Sequence, residues 1–71
     1  MKKQKKQKIF IAWDYKLEGY VWATSPHDLQ VESPTWGHNY QEVFATERQI
    51  DALRNGGWIS AVTRKGIRVR I

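Results

Sequence analysis

The stretch KIFIAWDYKLEGYVWAT, residues 8–24, decides the fold of this chain. Two runs of β-branched and aromatic residues flank Lys16-Leu17-Glu18-Gly19, whose last residue is a glycine that can adopt positive φ. This pattern predicts a β-hairpin with its turn at that segment. Pairing by alternation sets three residue pairs opposite each other: Tyr15 and Tyr20, Trp13 and Trp22, Ile11 and Thr24.

Both faces of the predicted hairpin are largely apolar. One face carries Ile9, Ile11, Trp13, Tyr15, Tyr20 and Trp22. The other carries Phe10, Ala12, Val21 and Ala23. We therefore expect a central hairpin that is covered on one side and partly covered on the other.

The aromatic side chains of this hairpin have two interpretations. A domain of ~60 residues buries only about 60% of the surface of its unfolded chain, so its largest side chains are expected in the core. The alternative is an exposed platform on which bases stack, formed by Trp13, Tyr15, Tyr20 and Trp22. The core interpretation is the one we favour from the sequence.

One helix is predicted after the hairpin. Residues 25–39 contain proline, glycine and asparagine turn signals, and Leu29–Val31 is the only plausible strand there. Thr46 and Gln49 have the spacing of a capping box, which favours a helix that starts at Thr46 and stops at the glycines after Asn55. A competing start lies at Asn39.

A second hairpin is predicted at the end of the chain. Residues 58–63 and 67–71 flank the turn sequence Arg64-Lys65-Gly66. The sum is a single α+β domain over residues 9–71, a small antiparallel β-sheet built from two hairpins with one short α-helix packed on it.

Charge is segregated along the chain, whose formal net charge is +5. Residues 1–8 hold five lysines and no acid, whereas residues 9–51 hold all seven acids and only two basic residues. Residues 52–71 hold five basic residues and no acid. Because residues 2–8 contain no apolar side chain, we expect residues 1–8 to form a disordered basic arm.

The basic segments predict binding of nucleic acid through its phosphate backbone, because neutralised phosphates release counterions. Arg68 and Arg70 lie two residues apart on a predicted strand, so their side chains share one side about 7 Å apart, comparable with the spacing of phosphates. The alternative is an edge strand whose charges discourage strand pairing. The candidate nucleic-acid-binding residues are Lys2, Lys3, Lys5, Lys6, Lys8, Arg64, Lys65, Arg68 and Arg70.

The rival hypothesis is a protein–protein interaction module that blocks a partner protein sterically. Trp36 and Trp58 lie in predicted loops and are the candidate partner-binding residues, because aromatic side chains are enriched at interface hot spots. The acidic middle of the chain would form the rest of that contact surface. A phage-type or antitoxin-like inhibitor is the kind of protein that this hypothesis describes.

A resemblance to the N-terminal region of HicB-type antitoxins supports that rival. It covers roughly residues 8–55 and depends on Gly19-Tyr20-Val21, Pro26, Asp28, Leu29, Gly37 and Glu42. The family has three strands, a helix and a further strand, and usually a small or hydroxyl residue where Asn39 stands here. The resemblance implies inhibition of a partner protein.

Catalytic and cofactor patterns do not emerge from the sequence. His27, Asp28 and His38 could in principle ligate a transition metal, but their spacing matches no ligand pattern. The sequence contains no nucleophile elbow and no phosphate-binding glycine loop. We expect no enzymatic activity, no cofactor and no metal.

Compartment and assembly are constrained only loosely. The chain has no cysteine, and its apolar runs are far shorter than the ~18–20 residues that span a bilayer. We expect a cytoplasmic protein that does not contact membranes. A homo-oligomer, in which a second copy covers an exposed sheet edge, is compatible with this small size.

Overall fold

The computed structural model describes residues 5–71 as a five-stranded antiparallel sheet with two helices. The elements are β1 (Lys6–Asp14), β2 (Gly19–Ala23), α1 (Pro26–Glu32), β3 (Gln41–Thr46), α2 (Glu47–Arg54), β4 (Ser60–Thr63) and β5 (Arg68–Arg70). The strand order across the sheet is β2-β1-β3-β4-β5. The α+β class and both predicted hairpins are confirmed, whereas the order of elements differs from the one that the antitoxin resemblance implies.

The first strand begins earlier than expected. β1 starts at Lys6, so residues 6–8 of the predicted basic arm pair with β3. Residues 1–4, which include Lys2 and Lys3, lie outside the described residues. The strand can extend this far because β3 offers a pairing partner. A lysine-rich segment considered by itself does not indicate that such a partner exists.

The predicted register of the first hairpin is wrong by two residues. The structure pairs Trp13 with Tyr20 and Ile11 with Trp22. Because side chains alternate with a period of two, a shift of two keeps each strand residue on its predicted face. The predicted division of the hairpin into two apolar faces is therefore retained.

The turn explains this shift. The Asp14 carboxylate accepts hydrogen bonds from the backbone N–H groups of Lys16 at 2.9 Å and Leu17 at 3.0 Å. This local bonding folds residues 15–18 into the turn. Glu18 takes the positive φ, 54°, and the glycine after it begins β2.

Helix α1 forms where the sequence predicted a loop or a short strand, so that prediction is wrong. The Ser25 hydroxyl accepts a hydrogen bond from the Asp28 N–H at 3.2 Å, and Pro26 occupies the first turn, where its missing N–H costs nothing. Leu29 is fully buried against small residues of β1 and β2. A helix of seven residues with one buried side chain is too short to show a helical period in the sequence.

Helix α2 starts where the capping box predicts. The Thr46 hydroxyl accepts from the Gln49 N–H at 3.2 Å, and the Gln49 Oε1 accepts from the Thr46 N–H at 2.9 Å. The start at Thr46 is therefore confirmed, and Asn39 lies in the preceding loop. Asn55 caps the C-terminus, and Gly56 follows with a φ of 82°.

The core is aliphatic, which corrects the expectation that the hairpin aromatics form it. Helix α2 covers one face of the sheet, and the cluster beneath it contains Ile9, Ile11, Val43, Ala45, Ile50, Leu53, Ile59 and Ala61. None of the nine aromatic residues, all of which lie in the described range, is buried. Because β2 is an edge strand, Tyr20 and Trp22 have a neighbouring strand on one side only and remain at the margin of the cluster.

Candidate nucleic-acid interface

One half of the sheet has a face without a helix. Helix α1 packs on β1 and β2 only near the first hairpin, on the side opposite α2. The rest of that side, which we call the open face, is formed by the start of β1 and by β3, β4 and β5. Its side chains are Lys6, Lys8, Glu42, Phe44, Thr46, Ser60, Val62, Arg68 and Arg70.

A row of paired residues crosses the open face from one edge to the other. Lys8 lies opposite Phe44, Phe44 opposite Val62, and Val62 opposite Arg68. Since neighbouring strands are about 4.8 Å apart, the two cations of this row are about 14 Å apart with apolar side chains between them. β1 and β5 are the strands that bound the open face. On each of them a second cation lies about 7 Å further along, in the same direction: Lys6 on β1 and Arg70 on β5.

A depression of about 380 Å³ lies between the two pairs of cations. Phe44 and Val62 form its apolar part, and Lys6 and Arg68 stand at opposite sides of it. The remaining lining residues are polar: Thr46, Gln49 and Ser60. The volume is within the range of small-molecule sites, about 300–1,000 Å³, and the combination of cationic rim and aromatic floor suits an anionic ligand with a flat ring.

Trp58 adds a second aromatic side chain to the open face, just before β4 begins. The strand ladder continues beyond β4, because the Ile71 N–H donates to the Ile59 carbonyl at 3.0 Å. Ile59 is 5% exposed and packs into the core, so alternation directs Trp58 to the open face, where it is 61% exposed. The Arg70 guanidinium lies 4.1 Å from the centroid of the Trp58 ring, a cation–π contact.

Glu42 is the one acid on the open face within residues 5–71. Its carboxylate pairs with the Lys8 ammonium at 3.6 Å and the Arg64 guanidinium at 2.7 Å. All three side chains are partly exposed, so each pair contributes at most about 1 kcal/mol. The other six of the seven acids lie elsewhere, at the first turn and on the helices: Asp14, Glu18, Asp28, Glu32, Glu47 and Asp51.

The structure brings together most of the predicted nucleic-acid-binding residues. Lys6, Lys8, Arg64, Arg68 and Arg70 lie on or beside the open face, and Lys65 follows Arg64 in the turn between β4 and β5. Lys5 lies instead beside α2. Lys2 and Lys3 lie outside the described part of the chain.

Phe44 and Glu42 also belong to this surface, although neither is among the residues predicted from the sequence. The signal was present in the alternation of β3, since Val43 and Ala45 are both fully buried and the residue between them must face the other way. It was hidden because the run from Val43 to Ala45 is apolar throughout.

The two candidate tryptophans lie at different places. Trp36 belongs to a cluster at the turn end of the first hairpin, which we call the hairpin-tip cluster: Trp13, Tyr15, Tyr20 and Trp36. Ring centroids are 4.8 Å apart for Tyr15 and Trp36 and 5.0 Å apart for Trp13 and Tyr20. The Trp13 ring meets Tyr20 nearly edge to face, so these aromatics pack on one another and do not form a flat platform.

Other features of the described chain offer less chemistry. His27 and His38 are both exposed, and residues 5–71 contain no group of three or more side chains that could hold a metal ion. Neither helix within this range is long and apolar enough to cross a membrane. A depression of about 650 Å³ along the β2 edge is bordered by the acids Asp28 and Glu32 and one cation, Arg54, so it does not continue the basic surface.

Comparisons with known proteins leave the site to be interpreted from its own chemistry. Neither the models of known families, nor curated proteins, nor solved structures contain a match to this chain.

Proposed function

We propose that this protein is a small non-enzymatic module that binds nucleic acid through its open face, mainly by contacts to phosphates. The observation that carries this proposal is the row from Lys8 through Phe44 and Val62 to Arg68, which sets cations on both sides of an apolar strip. Contacts of this kind fix the register of a nucleic acid and carry little sequence information.

The distribution of charge supports this proposal. Five cations, Lys6, Lys8, Arg64, Arg68 and Arg70, surround a single acid, which Lys8 and Arg64 already neutralise. Each phosphate that such a surface neutralises releases condensed counterions, so binding is expected to weaken steeply as salt rises. Helix α2, on the opposite side of the sheet, carries two acids and two arginines and so has no excess of positive charge.

The test is binding of labelled oligonucleotides, followed by fluorescence polarisation between about 50 and 200 mM salt. Two double variants each remove two charges from the open face: Lys6→Gln with Lys8→Gln, and Arg68→Gln with Arg70→Gln. For a single strand, Arg68→Gln with Arg70→Gln is expected to lower the slope of log K against log salt by about 1.4, because each lost phosphate contact accounts for about 0.7. Lys6→Gln with Lys8→Gln is expected to lower it by about 0.7 to 1.4, because Lys8 also pairs with Glu42.

The matched control is Lys16→Gln with Arg48→Gln. It removes the same charge from exposed positions in the first turn and on α2. We expect its slope to stay close to that of the unmodified protein. An equal decrease of the slope in the control and the open-face variants would overturn the proposal, because binding would then depend on net charge and not on this surface. Salt-insensitive binding would overturn it as well.

The contribution of Lys2 and Lys3 is measured separately. These residues belong to the predicted basic arm, and Lys2→Gln with Lys3→Gln leaves the open face unchanged. If the arm adds phosphate contacts, this variant also lowers the slope, and combining it with an open-face variant tests whether the two effects add.

A second candidate function is inhibition of a partner protein through the hairpin-tip cluster. The observation that favours it is exposed apolar surface, since Tyr15 is 66% exposed and Leu17 in the same turn is also exposed. Aromatic anchors at an interface contribute about 2 kcal/mol or more, so Trp36→Ala would weaken such a complex strongly. In that case the Lys6 and Lys8 variant would retain partner binding.

A further inference from the structure

We infer that the open face binds single-stranded nucleic acid in preference to a duplex and that a base stacks on Trp58. This inference rests on the proposed function and goes beyond it, because phosphate contacts alone do not distinguish the two forms. It names the class of ligand and the side chain that selects it.

Trp58 has a large exposed ring that the fold itself does not use. Neither core cluster includes it, although its neighbour Ile59 is a core residue. Arg70 lies over the indole, and 61% of Trp58 is exposed, so much of the side chain remains accessible to a ligand. An aromatic ring in this situation offers a face on which a base can stack.

Arg70 can serve the stacked base and a phosphate together. Its guanidinium lies over the Trp58 ring at 4.1 Å, and a guanidinium stacked on a ring keeps its N–H donors directed outward around its edge. Arg68 lies on the same side of β5, about 7 Å away. Arg70 therefore offers donors beside the ring, and Arg68, opposite Val62, offers donors further along β5, so the backbone of a strand whose base stacks on Trp58 could follow β5 from one arginine to the other.

The apolar strip between the cations favours the single-stranded form. Phe44 and Val62 lie in the middle of the row that Lys8 and Arg68 terminate. A duplex keeps its base faces inside its own stack and would set phosphates or groove water against this strip, with no gain from the apolar side chains. A single strand can turn its unstacked bases toward the strip while its phosphates reach the cations.

The test compares three labelled probes of one length: a single strand, the corresponding duplex, and a single strand with abasic sites. The full-length protein should bind the single strand at least 5-fold more tightly than either other probe at the same salt concentration, since stacking of one base contributes about that factor or more. Trp58→Ala should lower the affinity for the base-containing strand by roughly 5-fold or more and change the affinity for the abasic strand little.

Two control variants make the readout specific. Trp58→Phe keeps a stacking ring, so it should retain most of the affinity while the fluorescence quenching that the strand causes at Trp58 disappears. Trp13→Ala makes the same chemical change at another exposed tryptophan, in the hairpin-tip cluster, and should bind all probes like the unmodified protein. Circular dichroism of each variant establishes that the fold is retained.

The outcomes separate this inference from the proposed function. If the duplex binds as tightly as the single strand, or if Trp58→Ala loses the same factor on the abasic probe, the stacking inference is wrong while phosphate binding by the open face stands. If none of the probes binds at low salt, the proposed function fails and the inference fails with it.

Discussion

Asp14 links three parts of the molecule through one carboxylate. Its Oδ1 accepts hydrogen bonds from the turn N–H groups of Lys16 and Leu17. Its Oδ2 accepts a hydrogen bond from the Ser33 hydroxyl at 3.3 Å. Ser33 is the C-cap of α1 and is buried, as Asp14 itself is, with 9% exposed. Asp14 therefore fixes the turn of the first hairpin and also holds the C-terminal end of α1, the helix that packs on this hairpin.

Replacing Asp14 by alanine should lower the free energy of unfolding by about 2–3 kcal/mol, because the buried Ser33 hydroxyl and two N–H groups lose a charged acceptor. Asp14→Asn should cost less, since its amide oxygen can still accept the turn N–H groups. Urea denaturation measures both values. Glu32→Ala, at the exposed end of α1, is the control and should stay within about 0.5 kcal/mol. A loss for Asp14→Ala as small as this would contradict the assigned role.

At the scale of elements, β3 passes directly into α2 without a loop. Thr46 is the last residue of β3 and the N-cap of α2, and the reciprocal bonds with Gln49 hold this junction. The Gln49 Nε2 also donates to the Ser60 carbonyl on β4 at 3.1 Å. Because Thr46, Gln49 and Ser60 all line the depression of the open face, the cap that starts the helix also shapes the candidate binding surface.

Thr46→Ala should destabilise the protein by about 1 kcal/mol, the typical cost of removing an N-cap hydroxyl. Thr46→Ser keeps the acceptor and should be nearly as stable as the unmodified protein. Thr35→Ala removes a hydroxyl from an exposed loop position and should change stability by less than about 0.5 kcal/mol. Thermal or urea unfolding of the three variants gives the comparison. Equal stability of Thr46→Ala and Thr35→Ala would show that the capping box contributes nothing measurable.

At the scale of the whole molecule, charge is separated in space as it is along the chain. The cations of the open face come from the two ends of the described sequence, β1 and β5, which β3 and β4 hold apart. The acids lie at the first turn and on the two helices, apart from Glu42. Glu42 pairs with Lys8 and Arg64, so it is the group that limits the positive potential of the open face.

Glu42→Gln should raise the affinity for single-stranded oligonucleotides, because it frees Lys8 and Arg64 to contact phosphates. The slope of log K against log salt should become steeper by about 0.7 to 1.4, for one or two new contacts. Asp51→Asn is the matched control, since it makes the same change of charge and releases Arg54 on α2. Polarisation titrations at several salt concentrations measure both. An equal rise in affinity for both variants would mean that net charge, and not the open face, governs binding.

Several features were predictable because short-range chemistry determines them. The capping box at Thr46 and Gln49 follows from two residue types at a fixed spacing, and the second turn follows from Gly66, which has a φ of 84°. The alternation of β1 assigned Ile9 and Ile11 to one face, and that assignment survived the shift in register. The α+β class, the two hairpins and the uneven charge are therefore evident from local sequence patterns.

Which of these features meet in the folded protein depends on how the strands pair. The pairing of β1 with β3 brings Lys8 opposite Phe44, and the pairing of β4 with β5 completes the row at Arg68. Alternation assigns side chains to faces within one strand, but the order of strands depends on contacts between residues far apart in the chain. Helix α1 depends on such contacts as well, because burial of Leu29 on the sheet stabilises it more than its own seven residues can.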